Sequence, residues 1–184
     1  MGSVHAYDTK ITVYQRKILM QEVIVDLGCG TTKFAGAIGI DRIPHPGVNI
    51  ICDFEKSLPL KSNSVNGLYA SHLLEHISDL IVFMEEIYRV CRQGANVHIA
   101  VPYLTSHAAF RDPTHVRFFS EETFQYFQHP TPYKIKTNFQ IQDIRYKYKP
   151  LFRIFPEFIR KIFRKHLWNV VDEIKVTLKV QKTA

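Results

Sequence analysis

Three acidic residues in the first third of the chain each close a short apolar run. Asp26 ends the run from Val23, Asp41 ends Ala37–Ile40, and Asp53 ends Val48–Cys52. If each run is a buried strand of a parallel sheet, the three carboxylates meet at the carboxyl edge of the sheet, where open α/β sheets bind ligands. Asp41 has two oxygens for the two hydroxyls of a ribose, and Asp53 can accept from an adenine amine. The spacing therefore predicts a nucleoside-binding edge.

The turn after Asp26 reads Leu27-Gly28-Cys29-Gly30. Glycine lets backbone approach a ligand closely, but the dinucleotide pattern G-x-G-x-x-G fails, because Lys33 stands at its third glycine. Only Thr31–Ala37 separate Gly30 from the next apolar run, whereas a usual crossover takes roughly 10–12 residues. A shortened first helix removes the main support for pyrophosphate and favours a nucleoside cofactor without phosphate.

These segments together resemble class I S-adenosylmethionine-dependent methyltransferases. The segment Ala70–His76 is similar to the S-x-x-LEH segment that follows strand four in the small-molecule branch, and Glu85–Gly94 resembles its next helix and the turn into strand five. The similarity runs from about Val23 to Val101 and departs from the family at the short crossover and at Gln93-Gly94. It implies an α/β, Rossmann-like, seven-stranded sheet flanked by helices. The last strand would be antiparallel, between strands five and six, in one domain spanning residues 1–184.

The resemblance implies S-adenosylmethionine as cofactor. It places the cofactor-binding residues at strand ends and in the first turn: Asp26, Gly28, Cys29, Gly30, Asp41, Arg42, Asp53, Phe54, Ser71 and His72. Phe54 has two open interpretations, since an aromatic ring can stack on adenine or simply fill the core.

The acceptor side is expected in the loop Tyr103–Ser120, just beyond strand five. His72, His107 and His115 are the titratable candidates for a base, and Arg117 can hold an anionic acceptor with two hydrogen bonds. Alternatively, Arg117 pins the loop through an ion pair with Asp112. Asp112-Pro113-Thr114-His115 and Arg117-Phe118-Phe119 also resemble the motif of an uncharacterised methyltransferase subgroup. A metal site from His107, Asp112 and His115 is conceivable, but methyl transfer requires none and none is expected.

Apolar periodicity predicts the remaining elements. The predicted strands are Val65–Ala70, Val97–Val101, Asn138–Lys149 and Glu173–Gln181, and the predicted helices are Ile11–Met20, Ile77–Val90, a short one after Ser120, and Phe155–Leu167.

The net charge of +7 is concentrated in the last third, where residues 134–182 hold thirteen basic and four acidic side chains. An anionic partner is therefore plausible. The segment Phe152–Trp168 is amphipathic. It either covers the sheet with its basic residues in water or attaches to an anionic membrane surface or a carrier-bound substrate. Three cysteines without metal-ligand spacing are typical of a reduced cytoplasmic protein, and no apolar run reaches transmembrane length.

We therefore expect an enzyme that methylates an oxygen or nitrogen nucleophile of a small-molecule, saccharide or lipid-linked acceptor. The basic C-terminal third favours an RNA methyltransferase as the alternative, although no Asn-Pro-Pro-Tyr-like tetrapeptide is present. The shortened crossover leaves a third option, a non-catalytic module that binds S-adenosylmethionine.

Overall fold

One mixed sheet of seven strands forms the centre of the molecule, in a computed structural model that describes residues 22–128 and 134–182. The expected helix Ile11–Met20 lies outside the described residues. The strands are β1 (Ile24–Leu27), β2 (Ile38–Asp41), β3 (Ile50–Ile51), β4 (Val65–Ser71), β5 (Cys91–Pro102), β6 (Phe139–Tyr148) and β7 (Val171–Val180).

The strand order is β3-β2-β1-β4-β5-β7-β6. Strands β1 to β5 are parallel, and β7 runs antiparallel to both β5 and β6. This confirms the predicted sheet with its antiparallel last strand between strands five and six. The chain leaves β1 towards β2 and β3 and returns on the other side at β4. The order therefore reverses between β1 and β4, and ligands bind at the carboxyl ends beside such a point.

The two faces of the sheet differ because side chains alternate along each strand. One face is apolar and fully buried, with Leu68 of β4, Val97 of β5 and Leu178 of β7 among its residues. The opposite face is polar and half-exposed at the neighbouring positions of β4 and β5, where the rings of Tyr69 and His98 stack with their centres 4.7 Å apart. The core therefore lies on the first face.

The helices connect the later strands. They are α1 (Leu80–Val90), α2 (His107–Arg111), α3 (Glu121–Gln125), α4 (Pro150–Arg153) and α5 (Glu157–His166). Helix α1 buries Phe83, Met84 and Ile87 in the core. It begins three residues later than predicted, because a 3₁₀ turn (Leu74–His76) comes first and the Asp79 carboxylate then caps the helix by accepting from Val82 N–H at 3.0 Å.

Two connections depart from regular geometry. Turns alone occupy residues 28–37 between β1 and β2, which confirms the shortened first crossover. Strand β5 begins at Cys91, directly after α1, and its pairing with β4 jumps from Val65↔Cys91 to Gly67↔Asn96. The expected turn at Gln93-Gly94 is therefore a bulge within the strand, and Gly94 has the positive φ of 78° that this bulge needs.

Helix α5 contacts the rest of the protein through a mixed face, because Phe163 packs against the core beside a buried arginine while Lys161 and Lys165 are exposed. Arg164 is buried, with its guanidinium 3.8 Å from the Tyr146 ring centre. Phe158 and Ile162 are 68% and 54% exposed. The expectation that this helix covers the sheet holds for Phe163 but not for Arg164, because a guanidinium can pack against an aromatic ring in the interior, which apolar periodicity does not register.

Candidate active site

A cavity of about 490 Å³ opens at the carboxyl edge of β1, β2 and β4. Its walls come from four strand ends and one loop. The lining residues are Gly28, Asp41, Arg42, Ile43, Asp53, Phe54, Glu55, His72, Leu73, His76, Ile77 and Thr114. Its size suits a small organic ligand, and its position is the one predicted from the strand order.

Two carboxylates shape the turn that replaces the first crossover helix. The buried Asp26 accepts from Phe34 N–H at 2.8 Å, and Asp41 accepts from Gly30 N–H at 2.8 Å and from Ile43 N–H at 2.9 Å. Burial raises the pKa of Asp26 above its usual range, although the Phe34 N–H opposes that shift. The N–H groups of Gly30 and Phe34 are thus already bound to carboxylates and are not free to hold a phosphate. This edge of the sheet therefore suits a ligand without phosphate.

The glycines of this turn leave room for a ligand. Gly28 and Gly30 have φ values of 65° and 51°, where a side chain is strained. A Cβ at Gly28 would meet Leu73 at 3.2 Å, whereas a Cβ at Gly30 would point into open space. Gly28 therefore brings bare backbone to the cavity wall, while Gly30 continues the turn beside it.

Asp53 and Phe54 form the far wall. Asp53 accepts from Glu55 N–H at 3.3 Å and pairs with Lys56 at 3.8 Å. Phe54 lines the cavity but is only 7% exposed, and its ring packs edge-on against Phe83 at 6.0 Å. Core packing therefore accounts for most of the ring, and the remainder contributes an apolar wall.

His72 occupies the end of β4 between two carboxylates. Its Nδ1 lies 3.2 Å from Glu75 Oε1 and its Nε2 lies 2.8 Å from Glu173 Oε2. These hydrogen bonds, chiefly that of Glu173, raise the pKa of His72 to about 9, and the same contact lowers the pKa of Glu173. His72 is consequently an imidazolium at neutral pH and has no free nitrogen for the role of general base.

The loop after β5 folds back onto the 3₁₀ turn. Val116 N–H donates to Glu75 O at 2.8 Å, and the Arg117 guanidinium donates to the backbone oxygens of Ile77 and Ser78. The alternative in which Arg117 pairs with Asp112 is wrong, because Asp112 accepts instead from Thr114, through the backbone N–H at 2.9 Å and the hydroxyl at 2.7 Å. Arg117 thus fixes the loop through backbone oxygens.

The structure divides the predicted site residues into three groups. Gly28, Asp41, Arg42, Asp53, Phe54 and His72 line the cavity. Asp26, Cys29, Gly30 and Ser71 adjoin it in the chain without lining it, and His107, His115 and Arg117 lie outside its walls. Sequence reasoning gave no role to His76 and Thr114, which line the cavity, or to Glu173, which holds His72 across 101 positions. The Leu74-Glu75-His76 motif was the available signal for His76.

Comparison with known proteins agrees with this geometry. The family model described as a methyltransferase domain matches residues 25–99. No curated protein matches the sequence.

Solved structures share the fold at low identity. A SAM-dependent methyltransferase from Archaeoglobus fulgidus has a TM-score of 0.62 and 18% identity, over 97% of this chain and 95% of that one. Another, from Thermotoga maritima, has a TM-score of 0.59 and 17% identity, over 97% and 99%. The [4+2]-cyclase SpnF also has a TM-score of 0.59, with 16% identity over 96% and 81%. The shared fold therefore does not by itself specify the reaction.

Proposed function

We propose that this chain, whose residues 25–99 match the methyltransferase domain model, uses S-adenosylmethionine to methylate an oxygen or nitrogen nucleophile of a lipid-linked acceptor at an anionic membrane surface. S-adenosylmethionine supplies the methyl group on a sulfonium, which is already a good leaving group. The protein must therefore mainly bind, orient and exclude water, and correct positioning alone can contribute several kcal/mol.

The cavity walls have the groups that this cofactor needs. In the proposal Asp41 accepts the ribose hydroxyls, Asp53 accepts from the adenine amine, and the turn at Gly28 and Gly30 passes close to the amino-acid portion. Asp26 keeps that turn in place through Phe34 N–H. The acidic character of these positions suits a ligand that carries a sulfonium and an ammonium group.

The observation that carries the proposal is an exposed surface around α4 and α5, which we call the α5 surface. Its apolar members are strongly exposed: Leu151 (69%), Ile154 (76%), Phe158 (68%), Ile162 (54%), Leu167 (46%) and Trp168 (66%). Lys161 and Lys165 are exposed on the same helix. An exposed apolar strip with lysines beside it and a tryptophan near its end is typical of a helix lying in a membrane interface.

This surface is joined to the active-site edge. Strand β6 is parallel to β5, so α4 and α5 follow its carboxyl end on the edge that holds the cavity. Asn169 N–H donates to Thr105 O at 2.8 Å, and Trp168 lies 5.6 Å from Phe110 in the acceptor-side loop. A membrane that touches the α5 surface would therefore also lie beside the loop that supplies Thr114 to the cavity.

The energies are sufficient for reversible binding. Full transfer of a large apolar side chain from water contributes about 1.5–3 kcal/mol, and each lysine near an anionic leaflet contributes about 1 kcal/mol. Half-embedding the exposed side chains of α5 together with two lysines thus amounts to several kcal/mol. Every helix within the described residues is too short or too polar to cross a bilayer.

Vesicle binding tests the proposal. Trp168 is the sole tryptophan of the chain, so its fluorescence reports on the α5 surface directly. With vesicles containing anionic phospholipid we expect a blue shift and co-sedimentation that weaken as salt rises, and little binding to purely zwitterionic vesicles. Phe158→Ser with Ile162→Ser should abolish binding. Val82→Ser, at a 53% exposed site on α1, is the matched control and should bind normally.

Two outcomes would contradict the proposal. The first is wild-type protein that stays in the supernatant with anionic vesicles at low salt. The second is strong, salt-sensitive binding to structured RNA that the serine variants leave unchanged, which would instead favour the RNA methyltransferase. Methyl transfer from labelled S-adenosylmethionine into a lipid extract, absent in the serine variants, would complete the positive case.

A further inference from the structure

Three side chains meet beside the cavity without an assigned role. Glu75, His76 and His115 each present one potential metal-ligating atom, and these atoms all lie within 4.8 Å of one another. Glu75 and His76 belong to the 3₁₀ turn, and His115 comes from the acceptor-side loop. Backbone hydrogen bonds fix the two segments, since Val116 N–H and Arg117 N–H both donate to Glu75 O. The cluster therefore has a defined backbone frame.

The hydrogen bonds around the two histidines determine which nitrogen is free. His115 Nδ1 lies 2.9 Å from Ala109 O, and because a carbonyl only accepts, this nitrogen carries the proton. His76 Nδ1 lies 3.0 Å from Thr114 Oγ1, whose own proton goes to Asp112 Oδ1 at 2.7 Å, so His76 Nδ1 must donate as well. In the neutral imidazole of each residue the lone pair is therefore on Nε2.

Glu75 provides an independent observation. The residue is 1% exposed, and its Oε1 faces His72 Nδ1 at 3.2 Å, but its Oε2 is buried and has no hydrogen-bond partner among the residues that the structure describes. A buried carboxylate oxygen without a donor is costly and unusual in a folded protein. A cation placed at this atom would compensate for that cost.

We propose that Glu75 Oε2, His76 Nε2 and His115 Nε2 bind one divalent transition-metal ion, with zinc as the best match. Two imidazoles and one carboxylate, with a fourth position open, form a common catalytic zinc set. The outer hydrogen bonds of such sites are already in place here: His115 Nδ1 donates to Ala109 O, His76 Nδ1 donates to Thr114 Oγ1, and His72 Nδ1 donates to Glu75 Oε1. Asp112 Oδ2, 3.9 Å from His115 Nε2, is a second carboxylate near the proposed ligands.

The site has a consequence for the acceptor, and this part of the inference rests on the proposed function. His76 and Thr114 line the cavity, so an ion bound to His76 would lie at the cavity wall, and we place the acceptor there beside the cofactor. An oxygen atom of the acceptor, from a hydroxyl or a phosphate, is the group that a divalent ion would take there. We therefore expect the acceptor to be a lipid-linked compound with an oxygen atom that coordinates the metal ion.

Metal titration of the chelator-treated full chain tests the inference. We expect one zinc ion per chain by calorimetry, and visible absorption of tetrahedral type when Co²⁺ is used instead. His76→Ala and His115→Ala should each weaken zinc binding by at least about tenfold, since each loses a ligand. His107→Ala is the matched control from the same loop, outside the cluster, and should bind as the wild type does.

The outcomes separate this inference from the proposed function. Equal zinc affinity in wild type, His76→Ala and His115→Ala, or no zinc binding by the wild type at millimolar concentration, overturns the metal site. Titration of the same metal-free proteins with S-adenosylhomocysteine follows the cofactor cavity separately. Cofactor binding with no zinc binding leaves the methyltransferase intact and removes only the metal, while circular dichroism verifies that each variant is folded.

Discussion

Replacement of Asp41 is the most direct test of the cofactor site. Asp41 ends β2, lines the cavity, and accepts one backbone N–H on each carboxylate oxygen, from Gly30 and from Ile43. A carboxylate has about four acceptor positions, so two remain for the hydroxyls of a ribose. We predict that Asp41→Ala weakens binding of S-adenosylhomocysteine by roughly ten- to hundredfold.

The magnitude follows from the hydrogen bonds that are lost. A hydrogen bond to a charged group contributes about 1.5–3 kcal/mol net, and two of them set an upper limit near 6 kcal/mol. Asp41 is partly exposed, so water replaces much of this interaction in the variant, and a loss of about 1.5–3 kcal/mol is expected. Asp41→Asn keeps one neutral acceptor and should lose about 1 kcal/mol, or roughly fivefold in affinity.

Calorimetric titration with S-adenosylhomocysteine and with its 2′,3′-dideoxy analogue gives the assay. The dideoxy analogue should bind the wild type as weakly as the natural ligand binds Asp41→Ala, and it should lose little more in the variant. Non-additivity of this kind shows that the carboxylate and the diol act on each other. Asp143→Asn, on the half-exposed polar face of the sheet, is the control and should leave both affinities unchanged.

Two results would refute the reasoning. Unchanged affinity in Asp41→Ala means that the ribose lies elsewhere. Fully additive losses mean that Asp41 acts only by holding the turn through Gly30 N–H. A thermal melt without ligand distinguishes this second case, because loosening of the turn also lowers the melting temperature.

Three further predictions concern the frame around the site. The pKa of His72 rises from an ordinary 6.5 to about 9, so its ion pairs should add stability that is complete below pH 6.5 and is lost as the pH rises through 9. In chelator-treated protein, His72→Gln should reduce this pH dependence of the unfolding free energy measured in urea. An unchanged pH dependence would contradict the Glu75–His72–Glu173 arrangement. Arg89→Met should lower the free energy of unfolding in urea by about 2–3 kcal/mol. The reason is that the guanidinium joins the Glu86 carboxylate to backbone oxygens of the loop before β4. A decrease under about 0.5 kcal/mol would disprove that role. The fully buried Cys91 has a pKa raised to about 12 by burial, so it should resist a thiol reagent at pH 8 in native protein and react in denaturant, and rapid native labelling at this position would exclude the buried environment.

The sheet was predictable because its signal is local. Apolar runs that end in Asp26, Asp41 and Asp53 indicate strands whose carboxyl ends share an edge. The seven residues Thr31–Ala37 are too few for a full crossover helix. Strand ends were less accurate. The two-residue β3 and the early start of β5 at Cys91 depend on which backbone groups find a partner across the sheet.

The orientation of α5 could not be read from its sequence. Its pattern of apolar and basic residues fits two helix rotations equally well, and the choice depends on the aromatic rings of β6. The guanidinium of Arg164 lies over the Tyr146 ring and donates a 2.5 Å hydrogen bond to the Tyr148 hydroxyl. With Arg164 directed inward, Phe158 and Ile162 are exposed and form part of the α5 surface.

The sequence by itself predicted the fold, the enzyme class, the cofactor and several residues that line the cavity, because strand periodicity and the motifs that punctuate it are short-range properties. Only the tertiary structure decided the protonation of His72 and the neighbours of His115. Glu173 is 101 positions from His72 and keeps it protonated, while the loop places His115 beside Glu75 and His76. A charge or a metal-binding geometry depends on distances of a few ångströms between residues distant in the chain, and only the folded backbone sets those distances.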